Sequence, residues 1–261
     1  MIQTQNELEK VIEGWQKLSR VAVDTEADSL HSYFEKLCLV QIGDAQQNLL
    51  VDPLADLNLQ PLLDYFSSRE IILHGADFDL RMLRRGGELN APRVFDTVIA
   101  ARLCGVKEFS LAALVKQHFG VTLTKTSQKA DWSQRPLTDQ MMDYARDDTN
   151  YLHRIAEHLE QELHRLNRWE WFEESCERIV ALSQIERERD LERVWRITGS
   201  HPLDDRTSAI LRHLWFWREK EAGERDVPAF RIMRNEELLA LTQSVAYPRG
   251  IPRPWRSARL F

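Results

Sequence analysis

The sequence predicts an α/β domain followed by a small, wholly helical unit. Short apolar runs that end in polar residues occur early in the chain and predict strands. Stretches with helical periodicity lie between and after these runs, which is the alternation typical of a sheet flanked by helices. From residue 169 onward the pattern is almost wholly helical, so the second unit is predicted to be all-α.

Four segments are predicted as strands, because each is a short apolar run bounded by polar residues. The second and third are joined by the polar stretch GDAQQN, which is typical of a hairpin, so the sheet is expected to begin antiparallel. The predicted strands are residues 20–24, 37–42, 49–52 and 71–74.

Helical periodicity predicts several short helices and one long one. The long helix is expected to run from its N-cap candidate Thr138 to about His164. The short helices are residues 61–68, 77–85, 95–103 and 110–119. The predicted domains are the α/β domain at 1–165, a helical linker at 166–198 and the small helical unit at 199–261.

Composition excludes several classes of protein. The chain has 261 residues, of which 43% are hydrophobic and 29% charged, as in folded globular proteins and unlike disordered or collagen-like chains. Three widely spaced cysteines match neither a disulfide framework nor a zinc site, which favours a reducing compartment. Without a signal-like N-terminus or a long apolar window, a cytoplasmic location away from membranes is expected.

The first motif that carries chemistry is Asp24-Thr25-Glu26, directly after a predicted strand. Side chains at i and i+2 of a strand point to the same side, so the two carboxylates should lie together. Such a pair persists when it is solvated or when it holds a divalent cation, and its hard oxygen ligands favour magnesium or manganese over zinc. Alone, the pair fits a solvated strand end as well as a metal site.

The second motif, HGADFDL at residues 74–80, lies where a predicted strand runs into a helix. Sheets of α/β proteins bind ligands at such strand ends. Asp77 or Asp79 could be a ligand, and each could instead be an ordinary acid of a first helical turn, which the helix dipole favours.

The third motif pairs Tyr144 with Asp148 within MMDYARDDTNYL. The i, i+4 spacing places a phenol and a carboxylate on one helical face, at the flank of the apolar stripe. Asp147, at i+3, is the competing acid. An exposed tyrosine beside an acidic surface is the alternative interpretation.

The order and context of these motifs resemble the DEDD exonuclease superfamily, and Tyr144 points to its DEDDy branch, with ribonuclease D as the most similar family. The second motif of that family has its ligand aspartate five residues after a histidine, which selects Asp79, and the YxxxD spacing selects Asp148. The resemblance implies an RNase H-like mixed sheet flanked by helices. Further similar segments are FDTVIAARLCG (95–105), SLAALVKQHFG (110–120) and KTSQKADWSQRPLTDQMMDYA (125–145).

The resemblance also implies a metal-dependent 3′-5′ exoribonuclease that releases nucleoside 5′-monophosphates. Two divalent cations, Mg²⁺ or Mn²⁺, would clamp the scissile phosphate and activate water, with Asp24 bridging both and no organic cofactor involved. Tyr144 is a poor base at neutral pH and is assigned to orienting the attacking water. The implied catalytic residues are Asp24, Glu26, Asp79, Tyr144 and Asp148, and the four carboxylates among them are the metal ligands.

Four residues are predicted to contact the substrate. Phe78 or Trp132 would stack on terminal bases, Lys125 would meet a phosphate, and His74 would lie beside the substrate. For an aromatic residue with aliphatic neighbours the alternative is packing in the core, and for His74 it is orienting its loop.

Residues 205–245 resemble the helical HRDC domain, a nucleic-acid-binding module, in a basic and aromatic helix followed by PAFRI. The sequence ends at Phe261, partway into what resembles the last helix of that domain. A truncated HRDC-like domain is therefore one interpretation. Solvated helix faces with structural tryptophans are the alternative to nucleic-acid binding. The predicted phosphate contacts are Arg212, Arg218, Lys220, Arg225, Arg231 and Arg234, with four more arginines at 248–261.

The partner implied by this resemblance is RNA with a free 3′ end, precursors of tRNA in particular. The alternatives are a DNA exonuclease of the Werner or proofreading type and a non-catalytic RNA-binding scaffold. The net charge of −6 at first opposes a polyanionic partner. However, residues 81–130 hold nine basic and three acidic residues, and two divalent cations would offset four of the acids.

Overall fold

The computed structural model describes residues 1–90, 92–124, 126–185, 190–200 and 203–247. The described residues form two structural units. The larger comprises residues 1–28 and 35–185, and the smaller comprises residues 29–34 together with the described part of the chain beyond 187.

The larger unit contains five strands: β1 (Arg20–Ala27), β2 (Leu37–Gly43), β3 (Asn48–Val51), β4 (Glu70–Leu73) and β5 (Arg93–Asp96). They form one sheet in the order β3-β2-β1-β4-β5. β1 pairs antiparallel with β2 and parallel with β4, and β2–β3 is the predicted hairpin. The mixed sheet flanked by helices is therefore confirmed.

Helices cover both faces of the sheet. In the larger unit they are α1 (Gln5–Gly14), α2 (Gln60–Ser67), α3 (Asp77–Arg85), α4 (Thr97–Leu103), α5 (Leu111–Phe119), α6 (Asp139–Asn150), α7 (Leu152–Arg165) and α8 (Trp169–Gln184). One buried cluster joins α1, α2 and α3 to side chains such as Val23 and Ile42, and another joins α4, α7 and α8 to Ile72 and Phe95. Successive side chains of a strand point to opposite faces, so alternate residues pack against the helices on the two sides of the sheet.

Three features of this unit differ from the sequence prediction. Residues 93–96 are strand β5, paired parallel with β4, although residues 95–103 were predicted as one helix. A run of only four residues is too short to be assigned by periodicity. Asp96 is both the last residue of β5 and the N-cap of α4, so the strand passes directly into the helix. The predicted helix from Thr138 to His164 is two helices that meet at Tyr151. The capping box of Thr4 and Glu7 begins α1, which was not predicted.

The smaller unit is helical, as predicted, and consists mainly of α9 (Asp205–Arg225), α10 (Ala229–Ile232) and α11 (Asn235–Ala246). Its core joins Leu211 and Trp215 on α9 to Leu238 on α11. Residues 29–34 belong to this unit, where the backbone amides of Tyr33 and Phe34 donate to the Asp226 carboxylate at 3.1 and 3.0 Å.

Several of the predicted phosphate contacts are engaged within this unit. Arg218 is 5% exposed and donates to Asn235 and Glu219, so it is a core residue and its prediction as a surface phosphate contact is wrong. Arg212 pairs with Glu192 at 2.8 Å, and Arg225 with Glu221 at 2.6 Å. Lys220 pairs with Glu224. Arg231 and Arg234 are exposed, and Arg231 Nη2 lies 3.0 Å from His31 Nδ1. The arginines at 248–261 lie outside the described residues.

Cys38, Cys104 and Cys176 are free thiols. Among the described helices, none has both the length and the apolar character needed to cross a bilayer.

Candidate active site

A cleft of about 450 Å³ opens at the end of β1, beside α3 and α6. It contains all five residues that the resemblance implied for catalysis, which the chain contributes from β1, α3 and α6. His74 and Phe78 also line it. The full lining is Asp24, Thr25, Glu26, His74, Gly75, Phe78, Asp79, Ser110, Leu111, Ala112, Leu123, Thr124, Gln128, Tyr144 and Asp148.

Asp24 and Glu26 lie on the same side of β1, as their i, i+2 spacing predicts. α6 brings Asp148 to this pair. One carboxylate oxygen from each of Asp24, Glu26 and Asp148 lies within 4.8 Å of the other two, a separation that one cation can span. The carboxylates of the first and third motifs, which are more than 120 residues apart in the sequence, therefore lie together in the fold.

Asp77 and Asp79, between which the motif alone could not decide, have different surroundings in the first turn of α3. Asp79 is 5% exposed, lines the cleft and accepts a hydrogen bond of 2.6 Å from the Thr25 hydroxyl. Asp77 does not line the cleft and pairs with Arg81, one helical turn later, at 3.0 Å. The selection of Asp79 agrees with this placement.

Tyr144 and Asp148 occupy successive turns of α6, whose first turn is capped by the Thr138 hydroxyl accepting from Met141 N–H at 3.2 Å. Both line the cleft, whereas Asp147 does not. The i, i+4 spacing lets the Tyr144 hydroxyl interact with the Asp148 carboxylate.

The loop between β4 and α3 is held by Asp96, a residue that sequence reasoning did not select. Its carboxylate is buried and accepts from the backbone amides of Gly75 at 3.1 Å and Ala76 at 2.8 Å. It also accepts from Val98 N–H at 2.8 Å at the start of α4. Gly75 has φ +88°, a backbone conformation that glycine adopts without strain. An aspartate that ends a short apolar run was the available signal.

The four predicted substrate contacts fall into different places. His74 and Phe78 line the cleft, and Phe78 is 44% exposed. Trp132 is 1% exposed and packs in a cluster with Leu39 and Leu137, so its ring is a core side chain in this structure and is not presented to a base. Lys125 lies outside the described residues.

Comparisons with known proteins agree with this geometry. Residues 1–164 match the family model described as 3′-5′ exonuclease, and residues 208–246 match the HRDC domain. The chain belongs to the 3′-5′ exonuclease family.

Relatives of this chain include ribonuclease D proteins, which confirms the resemblance. Ribonuclease D of Jannaschia sp. (strain CCS1) is 35% identical over 229 residues, covering 85% of this chain and 59% of its own length. The crystal structure of Escherichia coli RNase D, "an exoribonuclease involved in structured RNA processing", aligns with a TM-score of 0.72 and 31% identity over 93% of this chain and 65% of that one. Brucella melitensis NrnC with bound Mg²⁺ aligns with a TM-score of 0.57 and 25% identity, over 72% and 92% respectively. The chain thus spans about three fifths of the length of the ribonuclease D proteins it matches.

Burial and mutual repulsion raise the pKa values of the carboxylates in the cleft. Burial is the largest cause at each of them. It raises the pKa of Glu26 to about 9, with Asp148 and Asp79 adding repulsion. The pKa values of Asp24, Asp79 and Asp148 are raised for the same reason, although the Thr25 hydroxyl opposes the shift at Asp79 and the Tyr144 hydroxyl opposes it at Asp148.

This cluster fits a divalent cation. Its donors are carboxylate oxygens, which Mg²⁺ and Mn²⁺ prefer. Among the ion pairs found in the described residues, no lysine or arginine neutralises Asp24, Glu26, Asp79 or Asp148. Repelling carboxylates that lack a cationic partner are stabilised when metal binds, since a ligand of the folded state alone shifts the folding equilibrium.

A stability prediction follows for the metal-free protein. A carboxyl group whose pKa is higher in the folded than in the unfolded state binds more protons when folded, so its contribution to stability is lost as pH rises through the folded pKa. For Glu26 this window extends from about 4.5 to about 9. In EDTA, Glu26→Gln should therefore melt at a higher temperature than the wild type at pH 9, with a smaller difference at pH 5. If the difference in melting temperature between Glu26→Gln and the wild type were the same at pH 5 and pH 9, this electrostatic description would be contradicted.

Proposed function

We propose that this chain is a divalent-metal-dependent 3′-5′ exoribonuclease that releases nucleoside 5′-monophosphates. The observation that carries the proposal is the convergence of Asp24, Glu26, Asp79 and Asp148, with Tyr144, in one cleft. The family match and the ribonuclease D relatives support the same reaction.

Mg²⁺ or Mn²⁺ would be held by Asp24, Glu26 and Asp148, with Asp79 completing the set of four carboxylates. Such cations supply an activated water and offset the charge of the scissile phosphate and the leaving oxygen. Two divalent cations balance the four negative charges of the ionised set. The Mg²⁺ bound by NrnC is consistent with this assignment.

Tyr144 acts in this proposal as a hydrogen-bond donor. Burial and the neighbouring carboxylates raise its pKa above the ordinary tyrosine value, so the hydroxyl stays protonated at neutral pH. A protonated phenol cannot act as a general base, but while its O–H donates to Asp148 its oxygen can accept a hydrogen bond from the attacking water and so orient it.

Replacing Tyr144 by phenylalanine should lower kcat by about 10²–10⁴-fold, the contribution of a positioned proton-transfer or orienting group. Metal affinity should change little, because the four carboxylates remain. Steady-state kinetics and Mn²⁺ titration of the variant measure the two effects. An unchanged kcat would reassign Tyr144 to packing against Trp132, whose ring centroid lies 6.0 Å away.

Two side chains of the cleft are proposed to contact the substrate. The exposed ring of Phe78 can stack on a terminal base. The Thr97 hydroxyl donates to the Leu73 carbonyl at 3.0 Å and must therefore accept from His74 Nδ1–H at 2.8 Å. Burial lowers the pKa of His74, so the neutral ring offers Nε2 as an acceptor for a ribose hydroxyl. Lys125 remains a predicted phosphate contact.

The proposed substrate is RNA with a free 3′ end, including precursors of tRNA. The terminal nucleotide must enter the cleft as a single strand, so an unpaired 3′ tail should be preferred. The exposed Arg231 and Arg234 of the HRDC unit would add phosphate contacts. The cytoplasm is the proposed location.

The experiment compares a labelled tRNA carrying a 3′ extension with DNA of the same sequence, each incubated with Mg²⁺, Mn²⁺ or EDTA. Shortening of the RNA from its 3′ end, blocked by EDTA, is the expected result. Digestion of the DNA alone would replace the proposal by a DNA exonuclease, and digestion of neither would favour an RNA-binding scaffold.

A further inference from the structure

Gln41 on β2 is buried in an unusual way. Its side chain is 0% exposed, and neither Oε1 nor Nε2 has a hydrogen-bond partner. Among the described residues, it is the one side chain with two polar atoms that are both buried without a partner. Buried amides are normally satisfied, because an unpaired polar group costs stability. A residue that bears this cost is expected to have a partner in a functional state of the protein.

The strand register places this amide beside the cleft. Gln41 is the cross-strand partner of Asp24 on β1 and of Leu50 on β3. Directly opposed residues of an antiparallel pair point to the same face, with Cβ atoms about 4.5–5.5 Å apart. The Gln41 side chain therefore lies on the same face of the sheet as that of Asp24, in the directly neighbouring position.

The buried cluster on this face is mainly apolar, although it includes Trp132, whose Nε1–H also lacks a partner, and Tyr144 packs against it. Two neighbours of Gln41, Leu39 on β2 and Leu50 on β3, belong to this buried cluster, which also contains Ala145 of α6. Of the two residues directly across from Gln41, only Asp24 has a polar side chain. Asp24 is thus the one cross-strand group with which the amide can form a hydrogen bond.

A neutral donor at this position suits a carboxylate that must keep its charge for a cation. A lysine or arginine here would neutralise Asp24 and compete with metal, whereas an amide N–H orients the carboxylate without changing the charge of the cluster. A carboxylate that binds metal through one side has lone pairs left for an outer donor. The side-chain amide matches that requirement.

We propose that Gln41 is a positioning residue for Asp24: its Nε2–H donates to the Asp24 carboxylate, directly or through one water, when Asp24 holds a divalent cation. This inference rests on the proposed metal-dependent function. Gln41 itself touches neither metal nor RNA, and it acts by fixing the orientation of a ligand.

The test replaces Gln41 by methionine, which has a similar volume and no amide. The metal-free variant should melt at or above the wild-type temperature, because an unpaired amide has been removed. Its Mn²⁺ dissociation constant, measured by calorimetry or electron paramagnetic resonance, should rise by about 10-fold or more, as when outer partners of metal ligands are lost. The Mn²⁺ concentration for half-maximal nuclease activity should rise in parallel, with kcat at saturating Mn²⁺ within about threefold of the wild type.

Leu39→Met is the matched control, since Leu39 lies on the same face of β2 opposite Glu26 and has no polar group. It should leave Mn²⁺ affinity unchanged. Gln41→Leu repeats the test if the methionine variant does not fold. Wild-type Mn²⁺ affinity in a folded Gln41 variant overturns the inference while leaving the proposed function intact. Absence of Mn²⁺ binding by the wild type overturns both.

Discussion

Asp148→Asn is expected to abolish the release of nucleotides from RNA without loss of the fold. The substitution removes one charge from the three carboxylates whose oxygens lie within 4.8 Å of one another, while side-chain volume is conserved. Turnover should fall by at least about 10³-fold, the upper range for losing one preorganised electrostatic group. Metal should also raise the melting temperature less than in the wild type, since a ligand is missing. Nucleotide release and melting with and without Mn²⁺ measure these effects.

Asp147→Asn is the matched control for this experiment. Asp147 is the preceding residue on α6, carries the same charge and does not line the cleft. The control should keep near wild-type turnover. Comparable activity in the folded Asp148→Asn variant would show that Asp148 does not hold a catalytic cation.

Asp96→Asn is expected to destabilise the protein and to impair turnover together. Its two carboxylate oxygens accept from backbone amides at Gly75, Ala76 and Val98. An asparagine must direct its NH₂ group at one of these N–H donors, leaving a buried donor unpaired. The free energy of unfolding should fall by roughly 1–3 kcal/mol. Turnover should fall by about 10²-fold, because the loop that precedes Asp79 is no longer held in place.

Asp204→Asn is the corresponding control, because Asp204 caps α9 through Thr207 N–H at 2.8 Å and asparagine is an equally good N-cap. Urea unfolding and steady-state kinetics should show little change for this variant. If Asp96→Asn retained both wild-type stability and wild-type turnover, Asp96 would have no role in ordering the loop.

Local periodicity predicted which site residues share a face, whereas the family resemblance selected Asp79 and Asp148 from their acidic neighbours. The i, i+2 rule placed Asp24 and Glu26 on one side of β1, and the i, i+4 rule placed Tyr144 and Asp148 on one side of α6. The same rules could not separate Asp77 from Asp79, since both lie in the first turn of α3. Their difference depends on tertiary partners, Arg81 for one and Thr25 for the other.

The features that sequence reasoning missed depend on contacts between distant segments. β5 is too short for its periodicity to be assigned, and Asp96 acquires its role only when β5 lies beside β4. Trp132 has an aromatic side chain suited to stacking, yet its burial is set by the cluster around Leu39. Gln41 carries no chemical signal until the register of β1 and β2 places it opposite Asp24.

In the HRDC unit, contacts between distant residues also determine how much of the positive charge is unpaired at the surface. Six basic residues suggested a phosphate-binding surface, but several of their side chains are paired with glutamates within the unit. Arg218 is buried among its partners because α9 turns that residue toward α11. Counts of basic residues in a sequence therefore overstate the unpaired positive charge on the folded surface.

The most direct test of the carboxylate cleft as a 3′-5′ exoribonuclease site is mass spectrometry of the products from an RNA with an unpaired 3′ tail. With Mg²⁺ or Mn²⁺, nucleoside 5′-monophosphates should appear in order from the 3′ end, and EDTA or Asp148→Asn should abolish them while Asp147→Asn does not. Internal cleavage, nucleoside 3′-monophosphates or metal-independent release would contradict the assignment.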